Sequence, residues 1–529
     1  MNKQNKLLIR GITVAGIVGI LSAIIISPEF FANYISTDHV ISPEGYERIH
    51  KLRGLSLLIG CLLLSSGILY SKFPEHARNF IRRPVGTMLI LIIGWIIIAF
   101  INFMLKTAGL STGTPDFFPF SEFYGPRILF SGLPYTVLFL IAFFISLKYS
   151  EHFNVLHVWF AGLILIVLGN LAQGGVEEAF YRPINAPFYY LDVPYYQQYY
   201  HEAIKITDWR EWLNSFNMQQ VHLLKHTRTH PPFAILIYYF ILKISDNSLP
   251  IIAGSFVFLS SLSIILIFQI MRVLGLSKQQ SSLFALLFSV IPAYNIYSAV
   301  SLDGVIAGLS TMFLLGAIMI IKRGGNIRWM LLFIAGIILS NLLTFLALFL
   351  FATAGFVALR ELIINRNHGI LLTLFIAIIV MIFTHFFMLH FYEYNHIQAF
   401  LTASNLEPKS LLLSNPLAYV MTRMENVTMI AIFLSFGISA ILLRPSYLKL
   451  RVFDLHDDVS SIFLAGIMPV LVFFLIGGLY TGEGVRILLF IYPYFLFPLR
   501  NIDEPLLRFL VSAAGTQTII MQTFGGYFW

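Results

Sequence analysis

The chain of 529 residues is 58% hydrophobic and 11% charged, holds a single cysteine, and has a mean hydropathy of +0.80. Soluble globular proteins carry about 25% charged residues. This chain therefore lacks the polar surface to face water on all sides, and its composition excludes a disordered, collagen-like or disulfide-framework protein. The net charge of +8, from 34 Lys+Arg against 26 Asp+Glu, is carried largely in short connectors between apolar runs, which marks membrane topology rather than nucleic-acid binding.

Lys3, Lys6 and Arg10 precede an apolar stretch over 11–29. It reads as a first span and not as a signal-peptide core, because it is long, has no small-residue cleavage pattern and is followed by many similar stretches. Further spans are predicted at 54–72, 85–106, 131–148, 155–172, 249–271, 281–298, 304–320, 368–389, 427–445, 459–479, 486–500 and 506–525. Segment 329–362 is too long for one upright helix and reads as two short helices or one with a break. Together these predict an all-α polytopic membrane protein with about 13 to 15 transmembrane helices.

Basic residues orient the spans. Lys72, Arg78, Arg82 and Arg83 mark one connector as cytoplasmic, which sends residues 173–231 to the outer side. The apolar piece 233–247, opened by Pro231 and Pro232 and closed by Pro250, is short for a span and reads as a partial insertion from that side. Arg272, Lys278, Lys322, Arg323, Arg328, Arg360, Arg366, Lys449, Arg451 and Arg500 then all face the cytoplasm, provided that 329–362 crosses twice. Three connectors share the outer face: 173–248, 392–426 and the turn 481–485.

The first of these is the richest in chemistry. It carries Glu177, Glu178, Asp192, Glu202, Asp208 and Glu211 among Tyr195, Tyr196, Tyr199, Tyr200 and Trp209. The aromatics suit headgroup depth, and 194–217 is predicted as a helical pair on the membrane surface. Rings and carboxylates together also describe a carbohydrate site, where rings stack on sugar faces and carboxylates take hydroxyl protons. Asp192 reads either as such a carboxylate or as a helix cap with Pro194 early in the helix. Residues 226–232 read HTRTHPP: His226, Arg228 and His230 form a positive cluster suited to a lipid-linked phosphate, or to anchoring at the interface. A metal pair of His226 and His230 would need a helix that Pro231 disfavours, so no metal site is assigned. In LYTGEGVR, Glu483 and Arg486 stand at the mouth of a span either as a structural pair or as an arginine aimed at an anionic headgroup. Asp303 begins another span from the same side, as a cap with Gly304 or as a site wall, and Arg423, beside Glu425, is assigned to a wall by location.

Three segments, D192-V-P-Y-Y, H226-T-R-T-H-P-P and G482-E-G-V-R with I491-Y-P-Y, resemble in their order the integral-membrane glycosyltransferases of the GT-C superfamily, in particular its prokaryotic branch. The resemblance implies a GT-C-like core over 151–529 with its catalytic loop at 173–248, preceded by accessory helices over 1–150. It implies a multi-pass protein of the cell membrane that transfers a sugar from a polyprenyl-phosphate-linked donor to a hydroxyl of a glycan, lipid or protein on the extracytoplasmic side. Its site residues would be Asp192 as base, with Glu177 or Glu178 as the alternative, Arg228, His230 and Arg486 on the phosphate with His226, Glu483 orienting the arginine, and Tyr195 and Tyr196 as walls. One attacking hydroxyl and one departing phosphate predict inversion at the anomeric carbon. Membrane lipids are the surrounding partner and nucleic acid is none. No cofactor is required by the sequence, and a divalent cation, Mg or Mn, is left open between a carboxylate and the phosphate. The competing classes are a flippase or polymerase of lipid-linked saccharides, and a secondary transporter; the latter tends to show paired repeats that are not seen here.

Overall fold

The computed structural model describes residues 3–25, 27, 43–72, 83–107, 111–115, 118, 127–186, 188–190, 193–196, 198–406, 415–444, 448, 454–476 and 483–527. Apart from one hairpin, in which Phe188–Tyr190 pairs antiparallel with Val193–Tyr195, the regular structure is helical. Two compact units are formed, Met1–Ser121 with Leu411–Thr428, and Glu122–Ser410 with Met429–Trp529.

In the first unit the helices Lys3–Ile25 and Pro43–Lys72 lie against each other along small residues. A Cβ on Gly16 would sit 2.5 Å from the backbone N of Leu64, and one on Gly60 2.6 Å from that of Ile20. This is how membrane helices bring their backbones together without side chains between them. Pro84–Thr107 follows, and its buried Asn102 accepts a 2.7 Å bond from Thr114.

Among the described residues six helices are long and apolar enough to cross a membrane: Pro84–Thr107, Phe130–Tyr149, Leu249–Val273, Leu302–Arg323, Phe345–Asn365 and Gly369–Tyr392. The pair Pro416–Phe433 and Phe436–Leu442 makes a seventh if taken as one broken span. Gly369–Tyr392 exposes Leu372, Phe375, Ile379, Ile382, Phe383 and Phe386 at helical spacing, a continuous apolar band that only lipid would cover without cost. The protein is an all-α polytopic membrane protein.

Several predicted spans take other forms, for reasons written in the chain. Segment 329–362 does divide: Ile327–Leu343 ends at Thr344, whose extended backbone (φ -149) and hydroxyl start the next turn, and Leu348–Arg360 continues. Segment 281–298 is Lys278–Ser289 followed by Pro292–Tyr297, because Pro292 cannot donate to the preceding turn. Ser435, at φ 94, breaks 427–445. Over 486–500 the chain is not an α-helix. After a single turn at Gly484–Ile487 it winds as a 3-10 helix over Leu489–Asn501, with Pro493 and Pro498 inside it. Two prolines five residues apart leave no uninterrupted α-helical run, and the 3-10 rise of about 2.0 Å per residue stretches these 13 residues instead. The helix Phe233–Ile244 has 12 residues, about 18 Å at 1.5 Å per residue, well short of a hydrocarbon core of about 30 Å.

One end of the second unit is tied by ions. Lys322 Nζ lies 2.6 Å and Arg360 Nη1 2.7 Å from the two oxygens of Asp458. Arg360, almost fully buried, also pairs with Glu361 and donates to the carbonyls of Leu455 (2.8 Å) and His456 (2.7 Å). Arg500 Nη2 is 2.5 Å from Asp457. Lys322, Arg360 and Arg500, which charge parity groups on one side, thus gather with three carboxylates. Asp303 and Arg486, at the starts of the two segments that end in Lys322 and Arg500, stand at the opposite end. The 19 helical steps from Asp303 to Lys322 span about 29 Å, close to the thickness of a hydrocarbon core.

Candidate functional site

The site is assembled by three stretches far apart in sequence. Ser301 caps the helix Leu302–Arg323: its hydroxyl oxygen accepts from Asp303 N (2.9 Å), and its proton goes to Asp303 Oδ2 (3.1 Å). The expected cap, Asp303, is therefore in the first turn with its carboxylate held sideways. Gly304 makes room for this turn, since a Cβ there would meet Ser260 Oγ at 2.5 Å and the Ser298 backbone at 2.8 Å. The turn Gly484–Ile487 then brings the buried Arg486 against it, with Nε 3.3 Å from Asp303 Oδ2 and Nη2 paired with Glu483. Glu483 Oε2 lies 4.0 Å from His226 Nδ1 on the third stretch, Lys225–Arg228. That short helix is set in place by Glu202, whose Oε1 accepts from Leu224 N at 3.0 Å, and by Gln220, whose amide donates to Arg228 O and Ala399 O at 2.9 Å each.

Helix geometry fails after Arg228, ahead of Pro231 and Pro232. His230 N turns to Thr227 O (3.3 Å), which leaves the carbonyl of His226 for the His230 imidazole, with Nδ1 2.9 Å away. Tyr199 stands edge-on to that imidazole at 5.4 Å and stacks on Tyr238 at 5.6 Å. Burial dominates the titrations. It pushes His226 down to about 3 and His230 down to about 4, leaving both imidazoles neutral at pH 7, and holds the Tyr199 phenol well above its usual range. Burial alone would raise Glu483, but Arg486 beside it, with His226 and Lys225, brings it down to about 2.

Of the residues singled out in the sequence, the structure brings together His226, His230, Glu483, Arg486 and Asp303. Arg228 is close in sequence, and its Nε is buried without a hydrogen-bond partner among the described residues. Glu178 is engaged elsewhere: both its oxygens are held by Arg182 (2.7 and 2.9 Å), and one also by Arg127 (2.8 Å). Burial would raise it, yet those two guanidinium groups keep it below the usual carboxylate range. Glu177 is exposed. Asp192 lies outside the described residues. Tyr195 is in the second strand of the hairpin, paired with Phe188, and Tyr196 is exposed with its ring 4.3 Å from that of His201. Pro194, expected early in a helix, is in the same strand, and helices begin only at Tyr199–Ala203 and Trp209–Asn214, the latter capped by Asp208. Arg423 belongs to the first unit, with its guanidinium 4.8 Å from the ring of Tyr419.

The sequence did not single out Tyr238, and it offered Tyr199 only within an aromatic cluster suited either to headgroup depth or to stacking on sugar. It also gave no sign of a second polar group in the same unit. There His385 and His396 stack at 4.0 Å, His385 Nε2 is 3.1 Å from Asn341 Oδ1, and the Tyr394 hydroxyl is 2.9 Å from His396 Nδ1. Among the described residues no group of three or more His, Cys, Asp and Glu side chains is placed to hold a metal ion. Compared with known proteins, the chain matches no family model and no curated sequence.

Proposed function

We propose that the protein transfers a sugar from a polyprenyl-phosphate-linked donor to an acceptor hydroxyl on the extracytoplasmic face of the cell membrane, with inversion. The observation that carries this reading is the buried Arg486 guanidinium, oriented by Asp303 and Glu483 at one end of a helix about as long as the membrane is thick. A guanidinium at that depth suits the phosphate of a lipid whose tail lies among apolar helices, and two carboxylates fix the plane of its fork. Arg228, with an unpartnered Nε, supplies a second cation close by in the chain.

The chemistry asks little more. A phosphate leaves as a stabilised anion and needs no general acid, so the protein has only to hold the donor, spread the charge on the leaving oxygens and accept one proton from the hydroxyl. The acceptor is a glycan, lipid or protein hydroxyl.

The test is label transfer from a panel of radiolabelled polyprenyl-phosphate sugars in membranes containing the wild type, Arg486→Ala or Asp303→Asn. The wild type is expected to move label to an acceptor, and Arg486→Ala to lose about 10²- to 10³-fold, the usual cost of one charge-stabilising donor. Absence of transfer from every donor, in membranes shown to contain acceptor, would turn the reading toward flipping or transport.

A further inference from the structure

His230 is assigned by its motif to the donor phosphate, but its hydrogen bond argues for a different task. A carbonyl oxygen can only accept, so the 2.9 Å contact between His230 Nδ1 and His226 O places the proton on Nδ1. Thr229 Oγ1, 3.4 Å from the same nitrogen, does not reverse this, because its own proton has the carbonyls of Lys225 (3.4 Å) and His226 (3.3 Å) to go to. In the neutral ring Nε2 then carries a lone pair and no hydrogen. Such a nitrogen repels a phosphate oxygen and attracts a hydroxyl proton.

We propose that His230 Nε2 is the general base that takes the acceptor hydroxyl's proton. The role rests on the sugar-transfer reading. The proton leaves the hydroxyl oxygen for Nε2, a lone pair of that oxygen forms the new bond to the anomeric carbon, and the bond from that carbon to the phosphate oxygen breaks with its electron pair. The imidazolium later returns the proton to the departed phosphate or to water. The His226 carbonyl fixes the tautomer and would stabilise the imidazolium, as an orienting acceptor does for a histidine base. The edge-on Tyr199 ring holds the imidazole plane, and burial keeps the ring neutral at pH 7, which leaves the Nε2 lone pair free. The prolines at 231 and 232 end the helix and so free the carbonyl for this purpose.

The deciding variant is His230→Asn, whose amide N–H can reproduce the Nδ1 bond to His226 O while deleting Nε2. The steady-state transfer assay should give a kcat lower by about 10²- to 10⁴-fold, the range for loss of a general base, with the donor KM within about twofold of wild type. His230→Gly should be as slow and should regain at least about tenfold with added imidazole, a response that a merely structural role would not give. A raised donor KM with kcat intact would make His230 a phosphate contact and overturn the role. Full activity in His230→Asn, with activity abolished in Asp192→Asn, would overturn it in favour of the carboxylate. Wild-type protein that transfers nothing from any donor would remove the transfer reading and the role together, whereas retained transfer in His230→Asn would remove the role alone.

Discussion

Replacing Arg486 by methionine keeps an unbranched, buried side chain but takes the cation from between Asp303 and Glu483. Asp303, whose side chain is 15% exposed and 3.3 Å from Arg486 Nε, would be left as a nearly buried carboxylate whose side-chain hydrogen bond comes from the neutral Ser301 hydroxyl. Breaking a buried ion pair by deleting one member costs about 3–5 kcal/mol. Glu483 retains 34% exposure, so water screens its share and the lower end of that range applies to the pair together, about 3 kcal/mol. The remedy separates the electrostatic cost from any packing cost. Asp303→Asn should restore more of the Arg486→Met loss than Glu483→Gln does, and the triple neutral variant should return to within about 1 kcal/mol of wild type. Equilibrium unfolding of purified protein in mixed micelles, at neutral pH and low salt, measures all five proteins on one scale. Equal stability of Arg486→Met and wild type, or a greater rescue by Glu483→Gln, would refute the reasoning that Asp303 is the more buried carboxylate and the one that most needs the Arg486 cation.

Two further outcomes follow from the same geometry. Folded His226 and His230 titrate near 3 and 4, against 6.5 for a free imidazole, so between those values the unfolded chain binds more protons than the folded one. Stability should therefore rise with pH in that window and fall on acidification below about 6.5, by up to about 1.4 kcal/mol per pH unit for each imidazole; Glu483 adds its own loss only as pH falls from 4.5 toward 2. Unfolding midpoints between pH 4.5 and 7 should slope this way in wild type and less steeply in His226→Gln, and a flat wild-type curve would show that the imidazoles are not neutral and buried. Elsewhere, Gly316→Ala would place a Cβ 2.6 Å from Phe333 N, while Gly308→Ala, on the same helix, meets only Leu259 O at 3.6 Å. The first should lose about 1–3 kcal/mol as the helices part, and the second should be neutral or gain up to about 1 kcal/mol of helix propensity. Equal midpoints for the two would contradict the close approach.

The membrane class was legible from composition alone, because no arrangement of so few charges covers such a chain in water. The break within 329–362 was legible from length. The ion cluster at Lys322, Arg360 and Arg500 was legible only as a shared side, and its acids, Asp457, Asp458 and Glu361, were not singled out. Within the site, the motifs containing His226, His230, Glu483 and Arg486 stood out as charges at the mouths of apolar segments. That Asp303 pairs with a residue 183 positions later is a tertiary fact, and a period or a spacing cannot carry it. Other misses trace to local chemistry that outweighed pattern. Pro493 and Pro498 were visible in an apolar run, yet hydropathy does not distinguish a 3-10 helix from an α-helix. Glu177 and Glu178 looked alike side by side, but a partner 51 residues upstream, Arg127, claims one and leaves the other exposed. The direction of the His230 proton was hidden for a similar reason, since it depends on which carbonyl the broken helix leaves behind.

The helix Leu302–Arg323 is fastened at both tips, by Asp303 to Arg486 and by Lys322 to Asp458. Mechanically it is a tie rod. A slide of one residue along its axis, about 1.5 Å, would if directed away from Asp458 stretch the 2.6 Å contact to about 4.1 Å. Its middle is pinned as well, where Gly316 and Gly336 bring it onto the backbone of Ile327–Leu343 and so remove the side-chain cushion over which helices shear. The helix is thus held against sliding at three places along its length, at Asp303, at the glycine contact and at Lys322. A helix restrained in this way acts as a ruler: it fixes the separation between its Asp303 end and its Lys322 end at the roughly 29 Å that 19 helical steps span.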